Sequence, residues 1–137
     1  MDKPDRTKSG VQSSATMNAR VKVWLEVEGR YVFGFGLSEI LKAVETAGSI
    51  KGAAEQLGKS YRYVWGRIKK AERELGHVLV EARVGGSGRD RSSLTDLAQR
   101  LVHDYDALRS RVSAVAHASW PANVPCGSPP RKGRWAD

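Results

Sequence analysis

A mainly helical α+β fold is predicted by three features of this chain. Serine or threonine heads four apolar-periodic stretches, and glycine closes three of them. Two short stretches with the pattern of strands, near residues 21–33 and 77–94, flank the first three of these helices. Between them the segment Lys59–Lys70, KSYRYVWGRIKK, carries five basic residues, three aromatics and no acid. Together these predict a helix-turn-helix with a wing, an N-terminal β-hairpin and a long C-terminal helix.

Val21, Val23, Leu25 and Val27 alternate with Lys22, Trp24, Glu26 and Glu28, which predicts a strand with one buried face. Glu28-Gly29-Arg30 turns the chain, Tyr31-Val32-Phe33 returns it, and Gly34 and Gly36 end the hairpin. Ser38 is expected to cap the first helix, with Leu37, Ile40, Leu41, Val44 and Ala47 inward and Gly48 as its stop. Ser49 caps a short second helix with Ile50, Ala53, Ala54 and Leu57 on one face, closed by Gly58. Ser60 caps the third, with Val64, Ile68, Ala71 and Leu75 inward and Gly76 at its end. The small pair Ala53-Ala54 suits two short helices that cross steeply after a tight turn. Trp65 lies beside Val64 and Tyr61 on the helical wheel and is expected in the core.

His77 to Val84 reads as a strand, Gly85–Arg91 as a glycine-rich basic tip, and Ser92-Ser93-Leu94 as the partner strand. A hairpin directly after the third helix is a wing. The loop joins two strands, so it lacks the strand-to-helix setting of a nucleotide-binding glycine loop. Thr95 caps the last helix, and Asp96 suits its positive end. Leu94, Ala98, Leu101, Tyr105, Leu108, Val112 and Val115 recur every three or four residues over three heptads. That stripe is longer than a small domain needs, which favours pairing with a second chain through Leu101, Tyr105, Leu108, Val112 and Val115.

Charge narrows the function. The chain has 137 residues and a net charge of +8, with 23 basic and 15 acidic side chains. Residues 59–91 hold nine basic and four acidic residues, whereas 21–58 and 92–117 together hold seven and eight. The core's excess is therefore a patch, and a patch is the footprint of phosphate contacts. Double-stranded DNA is the expected partner. The candidate contacts are Lys59, Ser60, Tyr61, Arg62, Tyr63, Gly66, Arg67, Lys69 and Lys70 on the third helix, and Arg83, Arg89 and Arg91 on the wing. Arginine offers paired donors to guanine or phosphate, and Gly66 either permits close approach to DNA or makes room for a neighbour. The competing reading is a winged-helix protein-interaction module with incidental, non-specific DNA binding.

Other classes find little support. His77, His103 and His117 stand without a second ligand at metal spacing, and no nucleophile elbow occurs, so neither an enzyme nor a metal or cofactor is expected. The lone Cys126 permits no disulfide within the chain. No apolar run reaches the length of a membrane span, and residues 1–20 lack the apolar stretch of a signal peptide, so a cytoplasmic, nucleoid-associated protein is expected. Residues 1–19 and the proline-rich 118–137 read as disordered tails around a domain at 20–117.

Gly48-Ser49-Ile50, Ala53-Ala54 and Gly58-Lys59-Ser60-Tyr61-Arg62-Tyr63-Val64-Trp65 resemble the N-terminal domain of the ModE regulators, which are bacterial molybdate-responsive transcription factors. Leu79-Val80-Glu81, Gly85-Gly86-Ser87-Gly88 and Leu94-Thr95 continue the likeness, which spans roughly 36–116. The related LysR-type winged helix is echoed in Glu74-Leu75-Gly76 and in Leu94-Thr95 with Leu101. The resemblance implies a homodimeric, operator-binding winged helix, with Ser60, Tyr61 and Arg62 on the recognition helix and Gly85, Gly86 and Gly88 on the wing. The wing departs from the pattern by its Arg89-Asp90-Arg91. No oxyanion-binding domain follows in this sequence, so a direct response to molybdate is not expected.

Overall fold

In the computed structural model, residues 16–83, 91–121 and 127 are described. Lys22–Val112 form one compact unit. The elements run β1 (Trp24–Val27), β2 (Arg30–Gly34), α1 (Phe35–Ala47), α2 (Ile50–Leu57), α3 (Tyr61–Leu75), β3 (Val80–Arg83), β4 (Arg91–Leu94) and α4 (Asp96–Ser119). Each strand pair is a separate antiparallel hairpin.

Glu28 and Gly29 both take positive φ, the two-residue turn that matches strand twist. β1 starts at Trp24, not Val21, and Val21 and Val27 are exposed. Glu26 pairs with Tyr31 while Leu25 pairs with Phe33, so Val32 is an extra residue in β2. This bulge turns both Val32 and Phe33 into the core, which a regular strand does not allow.

Ser38 is not a cap. α1 begins at Phe35, so Gly36 is already helical, and Ser38 is fully buried. Its hydroxyl donates to Asp106 of α4 at 3.1 Å, and the same carboxylate takes an ion pair from Lys42. The hydrogen bond to Asp106 leads in holding the Lys42 ammonium above its ordinary pKa. Ala43 takes the inward place expected of Ala47, which is exposed. The other caps are local and stand where the sequence puts them. Ser49 accepts from Gly52 N–H at 2.9 Å, Ser60 from Tyr63 N–H at 3.0 Å, and Thr95 from Ala98 N–H at 3.2 Å. Gly48, Gly58 and Gly76 close their helices in the left-handed region.

One core joins α1, α2, α3, the inner edges of both hairpins and the first half of α4. Tyr105 belongs to it. The side chain is 1% exposed, meets Phe33 edge-on at 5.2 Å and donates its hydroxyl to the Val23 carbonyl at 2.8 Å. The expectation that Tyr105 faces a partner chain is thus overturned. α4 buries Ala98, Val102 and Tyr105, Leu101 is half-buried against the same core, and Leu108 is 42% exposed. Val112 is half-buried, and Val115, on the helix beyond Val112, is exposed.

β3 begins at Val80 rather than His77, because a side chain satisfies the preceding backbone. The Glu72 carboxylate of α3 accepts from Leu79 N–H at 2.8 Å and Val80 N–H at 3.1 Å, and pairs with Lys69 at 3.0 Å. Burial raises the Glu72 pKa, but the two amides and Lys69 outweigh it and hold the group below the ordinary glutamate range. Its stabilisation is therefore complete above an ordinary glutamate's value of about 4.3 and is lost as pH falls through the lowered folded value. Thermal melts of Glu72→Gln are expected to lie below those of the parent at neutral pH, with the gap closing below about pH 4. A gap that stays constant with pH would show that the charge is not what matters.

Candidate nucleic-acid interface

The helix-turn-helix is set by residue size. Ala53 and Ala54 of α2 are both buried, and side chains this small suit a close, steep helix crossing. The outer face of α3 carries Arg62, Gly66, Lys70 and Arg73. Arg62, Lys70 and Arg73 are exposed, and no ion pair engages them among the described residues. A Cβ built on Gly66 meets nothing within 4 Å, so the glycine does not make room for a neighbour, and the helix backbone is open to close approach there.

The remaining expected contacts divide between the flanks of α3. On one, Tyr63 is 43% exposed, with the Lys59 ammonium 5.5 Å and the Arg67 guanidinium 5.8 Å from its ring centre. Arg67 also donates to the Tyr63 hydroxyl at 2.9 Å. It lies against Gly36 of α1, where a Cβ would come within 3.2 Å of the guanidinium. Arg67 is thus held in place rather than extended to solvent. On the other flank, Tyr61 and Trp65 are 52% and 44% exposed. Trp65 is therefore not core, contrary to its expected place on the wheel. The Lys69 ammonium sits 5.8 Å from its ring centre while remaining paired with Glu72.

The two wing strands place Arg83 directly opposite Arg91, both exposed. Ser92 N–H donates to the Gly48 carbonyl at 2.8 Å, which ties β4 to the turn between α1 and α2. Arg89, Gly85, Gly86 and Gly88 lie outside the described residues. Of the expected contacts, Tyr61, Lys69, Arg83 and Arg91 line one groove between α3 and the wing, while Arg62 and Lys70 lie on α3 and Lys59 and Ser60 just before it. Leu101 and Tyr105 lie with the core instead. Sequence reasoning missed Trp65 as a surface residue, Lys51 beside the wing, and Glu72 as the link between helix and wing. No pattern in the chain pairs Glu72 with residues 79 and 80.

Among the described residues, no group of three or more His, Cys, Asp or Glu is placed to hold a metal ion. No helix there is long and apolar enough to cross a membrane.

Residues 36–99 match the family described as bacterial regulatory helix-turn-helix protein, lysR family. The chain is 32% identical over 92 residues to the DNA-binding transcriptional dual regulator ModE of Escherichia coli (strain K12), covering 67% of this chain and 35% of that protein. It is 30% identical over 76 residues to the molybdenum-pterin-binding protein MopB of Rhodobacter capsulatus, covering 56% and 28%. The chain thus spans about a third of the length of the curated relatives it matches. The crystal structure of the CbnR_DBD–DNA complex has the same fold, with a TM-score of 0.51 at 22% identity over 64% of this chain and 94% of that one. Residues 36–99 thus match the lysR-family helix-turn-helix model, resemble ModE regulators in sequence, and take the winged-helix fold of the CbnR_DBD–DNA complex.

Proposed function

We propose that this chain is a sequence-specific transcriptional regulator that binds double-stranded DNA as a homodimer, with α3 in the major groove and the wing, residues 83–92, on the sugar–phosphate backbone. The observation that carries it is the outer face of α3. Three cations with no ion pair among the described residues surround a glycine with open space above it. Folding alone gives no reason to collect like charges there, whereas a polyanion in contact with the backbone does. The ModE relatives are named as transcriptional regulators, and the same fold is seen in the CbnR_DBD–DNA complex. α4 supplies the dimer contact through Leu108 and Val112, which its own domain leaves partly uncovered. Residues 20–117 are the functional domain, acting in the cytoplasm on the nucleoid.

Arg62 sits in the first turn of α3, the part of a recognition helix that reaches base edges. Arg62→Ala is expected to cost about 1–3 kcal/mol in binding to the preferred duplex and to relax preference at one position. Selection from a random duplex library, run for parent and variant, checks this. Unchanged affinity and preference would remove Arg62 from the interface. Raising the salt during the parent's selection separates the two readings of the chain. Non-specific charge binding vanishes, whereas base readout leaves a residual preference.

A further inference from the structure

Beside the helix face assigned above, a groove runs between the start of α2, one flank of α3 and the strands of the wing. Tyr61 and Trp65, one helical turn apart, line it together with Ala82 of β3. Lys51, Lys69, Arg83 and Arg91 also line it, with Glu55 the one acid among its described lining residues. Two features of this groove run against stability. Two aromatic rings are left about half exposed, forfeiting apolar burial. Arg83 and Arg91 stand directly opposite each other across the hairpin, and like charges so placed repel. Both costs vanish against a ligand that alternates anionic groups with apolar rings.

We infer that this groove seats one sugar–phosphate strand of the bound duplex, with Trp65 packed on deoxyribose and Lys51, Arg83 and Arg91 on the flanking phosphates. The inference rests on the proposed DNA binding by α3. With α3 in the major groove and the wing beside the adjacent minor groove, the strand dividing the two grooves passes between helix and wing. Trp65 then contributes affinity without base readout, because every nucleotide presents the same sugar.

The test uses the full chain with Trp24→Phe, Trp120→Phe and Trp135→Phe, which leaves Trp65 as the one tryptophan of the four. A fluorescein-labelled duplex of mixed sequence reports binding by anisotropy, and tryptophan emission reports the groove. Duplex is expected to change Trp65 emission in step with anisotropy. In the otherwise unmodified chain, Trp65→Ala is expected to weaken binding to all duplexes about tenfold, as loss of a central aromatic anchor does. The slope of affinity against salt stays unchanged, because a ring and not an ion is lost. Trp65→Phe restores most of the affinity. Arg83→Gln with Arg91→Gln instead flattens the slope by about 1.8, roughly 0.9 for each phosphate released. Bound duplex with unchanged Trp65 emission, and Trp65→Ala within twofold of the parent, would overturn the groove assignment while DNA binding stands. An equal emission change with poly-glutamate would also overturn it, since the groove would then take any acidic chain. No anisotropy change with any duplex overturns both this assignment and the DNA-binding reading beneath it.

Discussion

Tyr105→Ala is expected to destabilise the domain by about 3–5 kcal/mol, the cost of truncating a large buried aromatic. The ring is almost fully buried against Phe33, so the surrounding structure has little room to collapse into the space it leaves. The hydroxyl adds a second loss, because it satisfies the Val23 carbonyl at the entry to the first hairpin. Tyr105→Phe keeps the ring and removes only that bond, at about 1 kcal/mol. Urea titrations of the three proteins separate the terms, provided the slope with denaturant stays constant. A net stability of roughly 5–15 kcal/mol is usual for a domain, so the alanine variant approaches global unfolding. A loss below about 1 kcal/mol for Tyr105→Ala would show that α4 does not hold the hairpin in place.

Leu108→Asp combined with Val112→Asp is expected to leave a folded monomer that binds its operator at least about 100-fold more weakly. Both positions follow the buried part of α4, so charges there spare the core of the domain. In the proposed dimer the same charges would be buried and unpaired, which is strongly unfavourable. Two recognition helices on one symmetric dimer meet one face of the duplex about 34–36 Å apart, and a monomer forfeits that paired engagement. Sedimentation of parent and variant gives the oligomeric state, and titration with a palindromic duplex gives the affinity. A parent that sediments as a monomer at tens of micromolar, or a variant that stays dimeric, would reject α4 as the dimer helix.

What could be read in the sequence divides along the range of each interaction. Ser49, Ser60 and Thr95 cap their helices through a backbone amide three residues away, so nearby residues suffice to recognise them. Ser38 has the same local pattern and fails, because its partner Asp106 lies 68 residues along the chain. A 3.5-residue period along α4 brings Leu101 into one seam with Ala98 and Tyr105. The helix instead buries Val102 fully and Leu101 only in part, a broader face turned toward a globular core. Tyr105 shows why such a stripe does not declare its partner. Periodicity identifies an apolar face but says nothing of whether the covering surface comes from the same chain. Trp65 sits at the edge of the inward arc of α3, where the wheel does not decide between core and surface. The second helix and the wing leave that edge uncovered.

In the proposed complex, the attachment of the wing would set the scale on which the domain measures DNA. One strand is fixed through Glu72 of α3, and the other through the carbonyl of Gly48. Helix and wing therefore form a calliper of fixed gauge rather than two independent fingers. A calliper responds to the width and bendability of what it spans, and both vary with base sequence. Base pairs lying between the two arms, touched by no side chain, would then still enter the choice of site. The domain would distinguish stiff, narrow-grooved tracts from flexible ones by the energy needed to bring them to its gauge.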